Sequence, residues 1–249
     1  DRAIVLKTKR PHLITERVDN YKILKEEKGV YKIAIPWGIK ESQVLARLKV
    51  KEVPSPMARD YEFTGRYEPF DHQKKTSSFL TLHKKGFCFN EQGTGKTASA
   101  IWACELLFSK NIIDKVLVIC PLSIMESAWV EDINKFVPHR STCVAHGTPT
   151  ARKAVLEKGA DYTIINYAGV EILEDSLRDY KMIIVDEATH YKNARTKRWK
   201  ALNRIVKKDT WLWLMTGTPA AQGPLDAYGL AKLVNPISVP RAFSVFRDK

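Results

Sequence analysis

Residues 87–97 read Phe-Cys-Phe-Asn-Glu-Gln-Gly-Thr-Gly-Lys-Thr, and this run restricts the fold more than any other stretch. Phe87, Cys88 and Phe89 are apolar enough for a short buried strand. Gly93 and Gly95 follow, and then Ala100, Ala103, Cys104 and Leu107 recur at i, i+3, i+4 and i+7, one face of a helix. A strand, a glycine turn and a helix in that order form a phosphate-binding loop. Turn N–H groups and the positive end of the helix dipole face one point. Glycines keep any Cβ from standing between backbone and phosphate. Lys96 is expected to reach the β- and γ-phosphates of a nucleotide, and Thr97 to place its hydroxyl on Mg²⁺. The general pattern has a glycine five residues before Gly95, where this chain has Asn90. A glycine-rich structural turn is therefore the alternative reading.

The 249 residues are 44% hydrophobic, enough for one large domain, or one large and one small. Forty-one basic against 28 acidic residues leave a net charge of +13, which points to a polyanionic partner, nucleic acid before anionic membrane. A merely soluble basic protein is the plainer reading of the charge. Cys88, Cys104, Cys120 and Cys143 form no CxxC pair and read as reduced core residues rather than a zinc site. No apolar run approaches the ~18–20 residues of a membrane span. No signal peptide opens the sequence, and its start at Asp1 instead of Met leads us to expect a trimmed N-terminus.

Residues 1–60 differ from the rest. Ala3–Leu6, Tyr21–Leu24 and Val30–Ile35 read as short strands, with Glu26-Glu27-Lys28-Gly29 as a hairpin turn between the last two. Glu41–Leu48 reads as a short helix, and Pro54-Ser55-Pro56 marks a boundary. Fourteen basic and eight acidic residues make this a small, basic, β-rich accessory module. It is either a solvated basic appendage packed on the main domain or a DNA-contacting module. From residue 61 to 249, apolar runs alternate with helical patterns: Phe87–Phe89, Val116–Cys120, Thr142–Ala145, Tyr162–Ile165, Met182–Val185 and Trp211–Met215. Such runs suit a parallel sheet buried on both faces, flanked by helices.

Met182–Val185 ends in Asp186-Glu187. At the C-terminal end of a parallel strand, side chains reach the ligand crevice. Asp186 is expected to hold Mg²⁺ through its water shell, and Glu187 to orient and deprotonate an attacking water. Pro121-Leu122-Ser123 and Thr216-Gly217-Thr218-Pro219 follow two further runs. Each is also what an ordinary strand-to-helix turn contains. Residues 188–208 hold eight basic residues and no acidic one. On a single helix, Lys197, Lys200, Arg204, Lys207 and Lys208 would share a stripe opposite Trp199, Leu202 and Val206. That stripe is either a solvated face or a contact for backbone phosphates, blind to sequence and sensitive to salt.

With these elements in order, the chain resembles the first RecA-like lobe of superfamily 2 helicases and translocases, and within them the SNF2-related group. The likeness runs from about Tyr67 to the end. Pro69-Phe70-Asp71-His72-Gln73 resembles the adenine-reading Q motif, with Gln73 at the base-reading position. Gln92, Gly93, Thr94, Gly95, Lys96 and Thr97 correspond to motif I, whose family form also lacks the first glycine. Pro121-Leu122-Ser123, with Trp129 beyond, resembles motif Ia, and Asn166-Tyr167 falls where motif Ib lies. Asp186-Glu187-Ala188-Thr189 is similar to motif II, Lys192-Asn193 to the pair that follows it in the SNF2 group, and Thr216–Pro219 to motif III.

The resemblance implies ATP and Mg²⁺ as ligands and an ATP-driven translocase or remodeller on duplex or branched DNA, RNA not being excluded. Lys96, Asp186 and Glu187 would be catalytic, with Thr97 and Asp186 holding the metal. Gln73 and Gln92–Thr97 would bind the nucleotide. Ser123, Tyr167, Lys192, Lys197, Lys200 and Arg204 would meet nucleic acid, and Thr216, Gly217 and Thr218 would couple hydrolysis to it. It implies a cytoplasmic protein, nucleoid-associated or in a phage-infected host, or a nuclear one in a eukaryote. Two features depart from the family: Thr189 stands where His is common, with His190 next, and Ala220-Ala221-Gln222-Gly223 replaces the usual residues after motif III. The family also needs a second RecA-like lobe, so the chain is expected to be the N-terminal portion of a larger enzyme or a compact viral relative whose other half lies elsewhere. Because the family often carries a substrate-recognition module ahead of the ATPase, the resemblance implies that role for residues 1–60. The competing expectations are a non-enzymatic nucleic-acid-binding module that keeps the fold, and an unrelated P-loop enzyme such as a small-molecule kinase.

Overall fold

A computed structural model describes residues 2–63, 66–219 and 223–247. The chain divides into two compact units, Asp1–Glu62 with Thr81–His83, and Phe63–Leu80 with Lys84–Lys249.

The first unit contains β1 (Ala3–Thr8), α1 (His12–Thr15), β2 (Lys22–Glu27), β3 (Val30–Pro36), α2 (Ile39–Arg47) and α3 (Met57–Asp60). Its three strands form an antiparallel sheet in the order β1-β3-β2. The expected hairpin is present. Lys28 (φ 50°) and Gly29 (φ 74°) both take positive φ, the geometry of a two-residue turn whose twist matches the flanking strands. Strand periodicity of two then sorts the residues. Ile4, Leu6, Ile33 and Ile35 face a core completed by Ile14, Val18 and Leu45. On the other face the register sets Lys22, Ala34 and Val5 in one row and Lys25, Lys32 and Lys7 in the next.

The second unit begins in α4 (Asp71–Leu82), whose last turn is grouped with the first unit. It continues through β4 (Lys85–Cys88), α5 (Lys96–Ser109), β5 (Val116–Cys120), α6 (Glu131–Phe136), β6 (Thr142–Ala145), α7 (Pro149–Leu156) and β7 (Tyr162–Asn166). Then come α8 (Tyr167–Ile172), α9 (Glu174–Leu177), β8 (Met182–Val185), α10 (Lys197–Ile205), β9 (Trp211–Met215), α11 (Ala227–Val234) and α12 (Phe243–Arg247). The six strands pair in the order β4-β9-β8-β5-β7-β6, every pair parallel. Every residue of β5, β8 and β9 is buried, as expected where helices cover both faces. The fold class expected from the alternating runs is the one observed. Because all six strands run the same way, their C-terminal ends share one edge of the sheet. The phosphate loop, Pro121–Ser123, Asn166-Tyr167, Asp186-Glu187 and Thr216–Thr218 all leave from that edge.

Two local expectations are corrected. α5 is not amphipathic: every residue from Ala98 to Phe108 is buried, so the apolar face read from Ala100, Ala103, Cys104 and Leu107 is part of an all-round pattern. β4 stops at Cys88, and Phe89 is largely exposed. Cys88, Cys104 and Cys120 are buried free thiols, and Cys143 is half-buried.

α11 docks through a glycine. Gly229 donates its N–H to the Lys192 carbonyl at 3.1 Å, and its own carbonyl accepts from the Trp199 indole at 2.8 Å. A Cβ at position 229 would lie 2.1 Å from the Lys192 carbonyl oxygen and 2.5 Å from its carbon. Those are backbone atoms and cannot rotate aside. Gly229→Ala is therefore expected to destabilise the protein by roughly 3 kcal/mol, the upper range of overpacking. Chemical denaturation checks this; an unchanged midpoint would mean that α11 is free to shift.

Candidate active site

The loop after β4 owes its shape to two glycines with positive φ, Gly93 (78°) and Gly95 (75°). Gly95 precedes Lys96, the first residue of α5, and no side chain caps the helix, so its first N–H groups remain for a ligand. Gly95 also meets a close neighbour. A Cβ there would lie 2.1 Å from Gln73 Nε2. Gln73 itself ties two segments together, accepting from the Phe70 N–H at 3.0 Å and donating to the Thr94 carbonyl at 3.3 Å. His72 Nε2 lies 3.0 Å from the same carbonyl, and the exposed Phe70 ring stacks on His72. Lys96 donates its ammonium to the Asn90 and Glu91 carbonyls, both at 3.0 Å. Gln92 and Gly93 are exposed at the mouth of the loop.

Asp186 sits at the end of β8 and is 7% exposed. Burial pushes its carboxyl pKa up, against the pull of two hydrogen bonds and of the Lys96 charge. Those bonds are specific: Oδ2 accepts from the indole of the fully buried Trp129 at 3.0 Å, and Oδ1 from the Glu187 N–H at 3.0 Å. Trp129 belongs to a π-helical turn, Met125–Val130, which follows Leu122-Ser123 directly. Such widened turns concentrate at functional sites. Glu187 adopts a left-handed backbone (φ 47°, ψ 54°), unusual for a residue with a Cβ. Thr216 is buried and directs Oγ1 to Glu187 Oε2 at 3.4 Å. Its N–H reaches the Cys88 carbonyl at 3.1 Å, and a Cβ on Gly217 would stand 3.2 Å from Gln92 Cγ. Thr218 donates its N–H to Thr216 Oγ1 at 3.2 Å. The Thr216–Thr218 turn thus touches both the loop after β4 and the Glu187 carboxylate.

The donor atoms near the loop fit a hard cation. The Asp186 carboxylate and the Thr97 hydroxyl offer oxygen only, and Mg²⁺ is commonly held by one or two protein oxygens together with phosphates. No group of three or more His, Cys, Asp or Glu side chains suited to a metal occurs among the described residues.

The candidate nucleic-acid residues scatter. Ser123, Lys197 and Lys200 are exposed. Tyr167 is not a surface residue: it is 7% exposed, and its hydroxyl donates to the Asp186 carbonyl at 2.8 Å. Burial also raises its pKa. It braces the carboxylate turn from beneath, and the Arg198 guanidinium stacks on its ring. Asn166, beside it, caps α8 by accepting from the Gly169 N–H, and the buried Arg152 donates to the same oxygen. Arg204 is held by Glu174 through two bonds of 2.6 Å, and that pairing keeps the Glu174 carboxyl below its ordinary range. Lys192 meets Asp226 at 3.2 Å, and Lys207 meets Asp179 at 3.5 Å. α10 ends at Ile205, so Lys207 and Lys208 are not on it and the five-residue stripe does not form. The segment has no acidic residue of its own, and neighbouring segments supply the carboxylates. His190 packs on Tyr167; burial and Arg198 lower its pKa. Ala220–Gln222 lie outside the described residues.

A six-stranded parallel sheet, a phosphate loop leaving an edge strand and paired carboxylates ending an inner one define a RecA-like P-loop lobe. The chain belongs to the SNF2-related domain family, whose model matches residues 34–249. It is similar to putative protein p41 of Acyrthosiphon pisum secondary endosymbiont phage 1, at 32% identity over 181 residues, covering 68% of this chain and 39% of that protein. It is 30% identical over 166 residues to transcription regulatory protein SNF2 of Saccharomyces cerevisiae, covering 64% of this chain and 10% of that protein. Among solved structures it resembles the SWI2/SNF2 ATPase core of Sulfolobus solfataricus in complex with dsDNA. There the TM-score is 0.64 at 26% identity, covering 76% of this chain and 41% of that one. The chain therefore spans about two-fifths or less of the length of these relatives. No helix among the described residues is long and apolar enough to cross a membrane.

Proposed function

We propose that this chain is the nucleotide-binding lobe of an ATP-dependent DNA translocase of the SNF2 type, acting on duplex or branched DNA with a second RecA-like lobe. The observation that carries this reading is that the Thr216–Thr218 turn touches both the phosphate loop and Glu187 at the one sheet edge from which all three leave. In this reading Gly93, Gly95 and the α5 N-terminus cradle phosphate oxygens. Lys96 leaves the Asn90 and Glu91 carbonyls to meet the β- and γ-phosphates. Asp186 and Thr97 hold Mg²⁺, which when bound neutralises charge on those phosphates. Glu187 orients the attacking water and takes its proton. Thr216 touches Glu187 while its neighbour Gly217 packs on the loop, so a change at the phosphates reaches the turn. Ser123, Lys197 and Lys200 meet the DNA backbone, and the second lobe completes the site. An arginine finger reaching the phosphates from outside the nucleotide-binding lobe contributes roughly 10³–10⁵ in related phosphoryl transfers, and on this reading the second lobe supplies it, so this lobe alone turns over slowly.

The test is the ATPase rate of the full-length protein with no nucleic acid, duplex DNA, single-stranded DNA and RNA. Duplex is expected to stimulate most. ATP binding with no stimulation by any of them would replace this reading with that of a nucleic-acid-binding module.

A further inference from the structure

The outer face of the N-terminal sheet carries a feature that folding alone does not explain. Lys7, Lys32 and Lys25 stand directly opposite one another across all three strands, and all are exposed. Like charges placed opposite one another in an antiparallel pair are destabilising. Lysines on edge strands often guard against edge-to-edge pairing. That accounts for Lys7 on β1 and Lys25 on β2, which are the edges, but not for Lys32 on the central strand. Of the three, Lys25 is paired with Glu27, whereas no ion pair engages Lys7 or Lys32 among the described residues. The next row adds Lys22 beside Ala34 and Val5. Beyond it lies an open concavity whose described lining includes Arg2, Tyr21, Lys22, Trp37 and Arg59, the last ion-paired with Asp60. The Arg59 guanidinium covers the Trp37 ring at 4.8 Å. The family match begins at residue 34, so β1, β2 and most of β3 lie outside it.

We propose that this lysine face docks the phosphodiester backbone of duplex DNA, giving the protein a second anchor separate from the nucleotide-binding lobe. The inference rests on the DNA reading above and deepens it. Charge complementarity selects the partner: a row of three lysines across the sheet, of which only Lys25 has an ion-pair partner among the described residues, suits a line of phosphates. Such phosphate pairing positions DNA without reading its sequence and weakens as salt rises.

The experiment compares the whole chain with two variants. One carries Lys7→Thr, Lys25→Thr and Lys32→Thr, keeping β-forming residues in the strands. The other carries Lys197→Ala and Lys200→Ala. Binding of a fluorescent duplex is followed by anisotropy across a salt series without nucleotide. The triple variant is expected to bind more weakly, with a slope of log K against log salt shallower by about 2–3 units, near 0.9 for each phosphate no longer neutralised. Its melting temperature is expected to hold or rise, because facing charges are relieved. If the triple variant keeps the wild-type affinity and slope, the proposal fails. If only the Lys197/Lys200 variant binds more weakly, the sheet proposal fails and the DNA reading stands. If the wild-type chain binds no duplex, both fail. Binding to anionic vesicles of phosphatidylserine and phosphatidylcholine, but not to duplex, would likewise overturn the proposal.

Discussion

Glu187→Gln is expected to cut ATP hydrolysis by the full-length protein about 10²–10⁴-fold, the range for loss of a positioned general base, while nucleotide affinity stays within a few-fold. The two carboxylates at the end of β8 are not equivalent. Both oxygens of Asp186 already accept hydrogen bonds, one from Trp129 and one from the Glu187 N–H. Among the described residues the Glu187 carboxylate has one long contact, 3.4 Å to the Thr216 hydroxyl, which leaves it lone pairs for the water that the proposed role requires. Glutamine preserves shape and loses the base. Steady-state ATPase beside binding of a fluorescent ATP analogue separates the two quantities. Hydrolysis at the wild-type rate in Glu187→Gln would remove Glu187 from the chemistry.

Trp129→Phe should have the second large effect, although no part of the indole is accessible to solvent. Phenylalanine keeps an aromatic ring in the core and deletes the one donor to Asp186 Oδ2. A buried carboxylate oxygen left without its partner costs about 1–3 kcal/mol. Groups that orient a metal-binding side chain typically alter affinity or activity 10–100-fold when mutated. The expected outcome is a higher Mg²⁺ requirement for nucleotide binding together with a lower urea midpoint. A purely packing role would lower the midpoint and leave the Mg²⁺ titration where it was. The same bond connects the Leu122-Ser123 segment to the carboxylate through one π-helical turn.

The parallel sheet was legible because its signal is local. Runs such as Val116–Cys120 and Trp211–Met215 are apolar throughout and only five residues long, which suits a strand covered on both faces better than a buried helix. The glycine turn between β4 and α5 was legible because glycine chemistry is local too: Gly93 and Gly95 both take the positive φ that a turn of this kind requires. What escaped joins distant positions. Trp129 and Asp186 are 57 residues apart, and Glu174 and Arg204 are 30 apart. A composition count over 188–208 sees no acid, yet Glu174, Asp179 and Asp226 arrive from α9, the loop before β8 and the turn before α11. Tyr167 misled for the same reason. A tyrosine at a strand end is ambiguous until the fold shows whether its hydroxyl meets solvent or, as here, a backbone carbonyl.

The left-handed backbone of Glu187 bears on how this lobe would respond to engineering for heat tolerance. An L-residue in that region carries roughly 1–2 kcal/mol of strain, which glycine would release. Glu187→Gly is therefore a substitution that a screen for thermal resistance would reward, and one that removes the carboxylate. If Glu187 has the catalytic role proposed above, selection for stability alone pulls this position toward an inert, sturdier lobe.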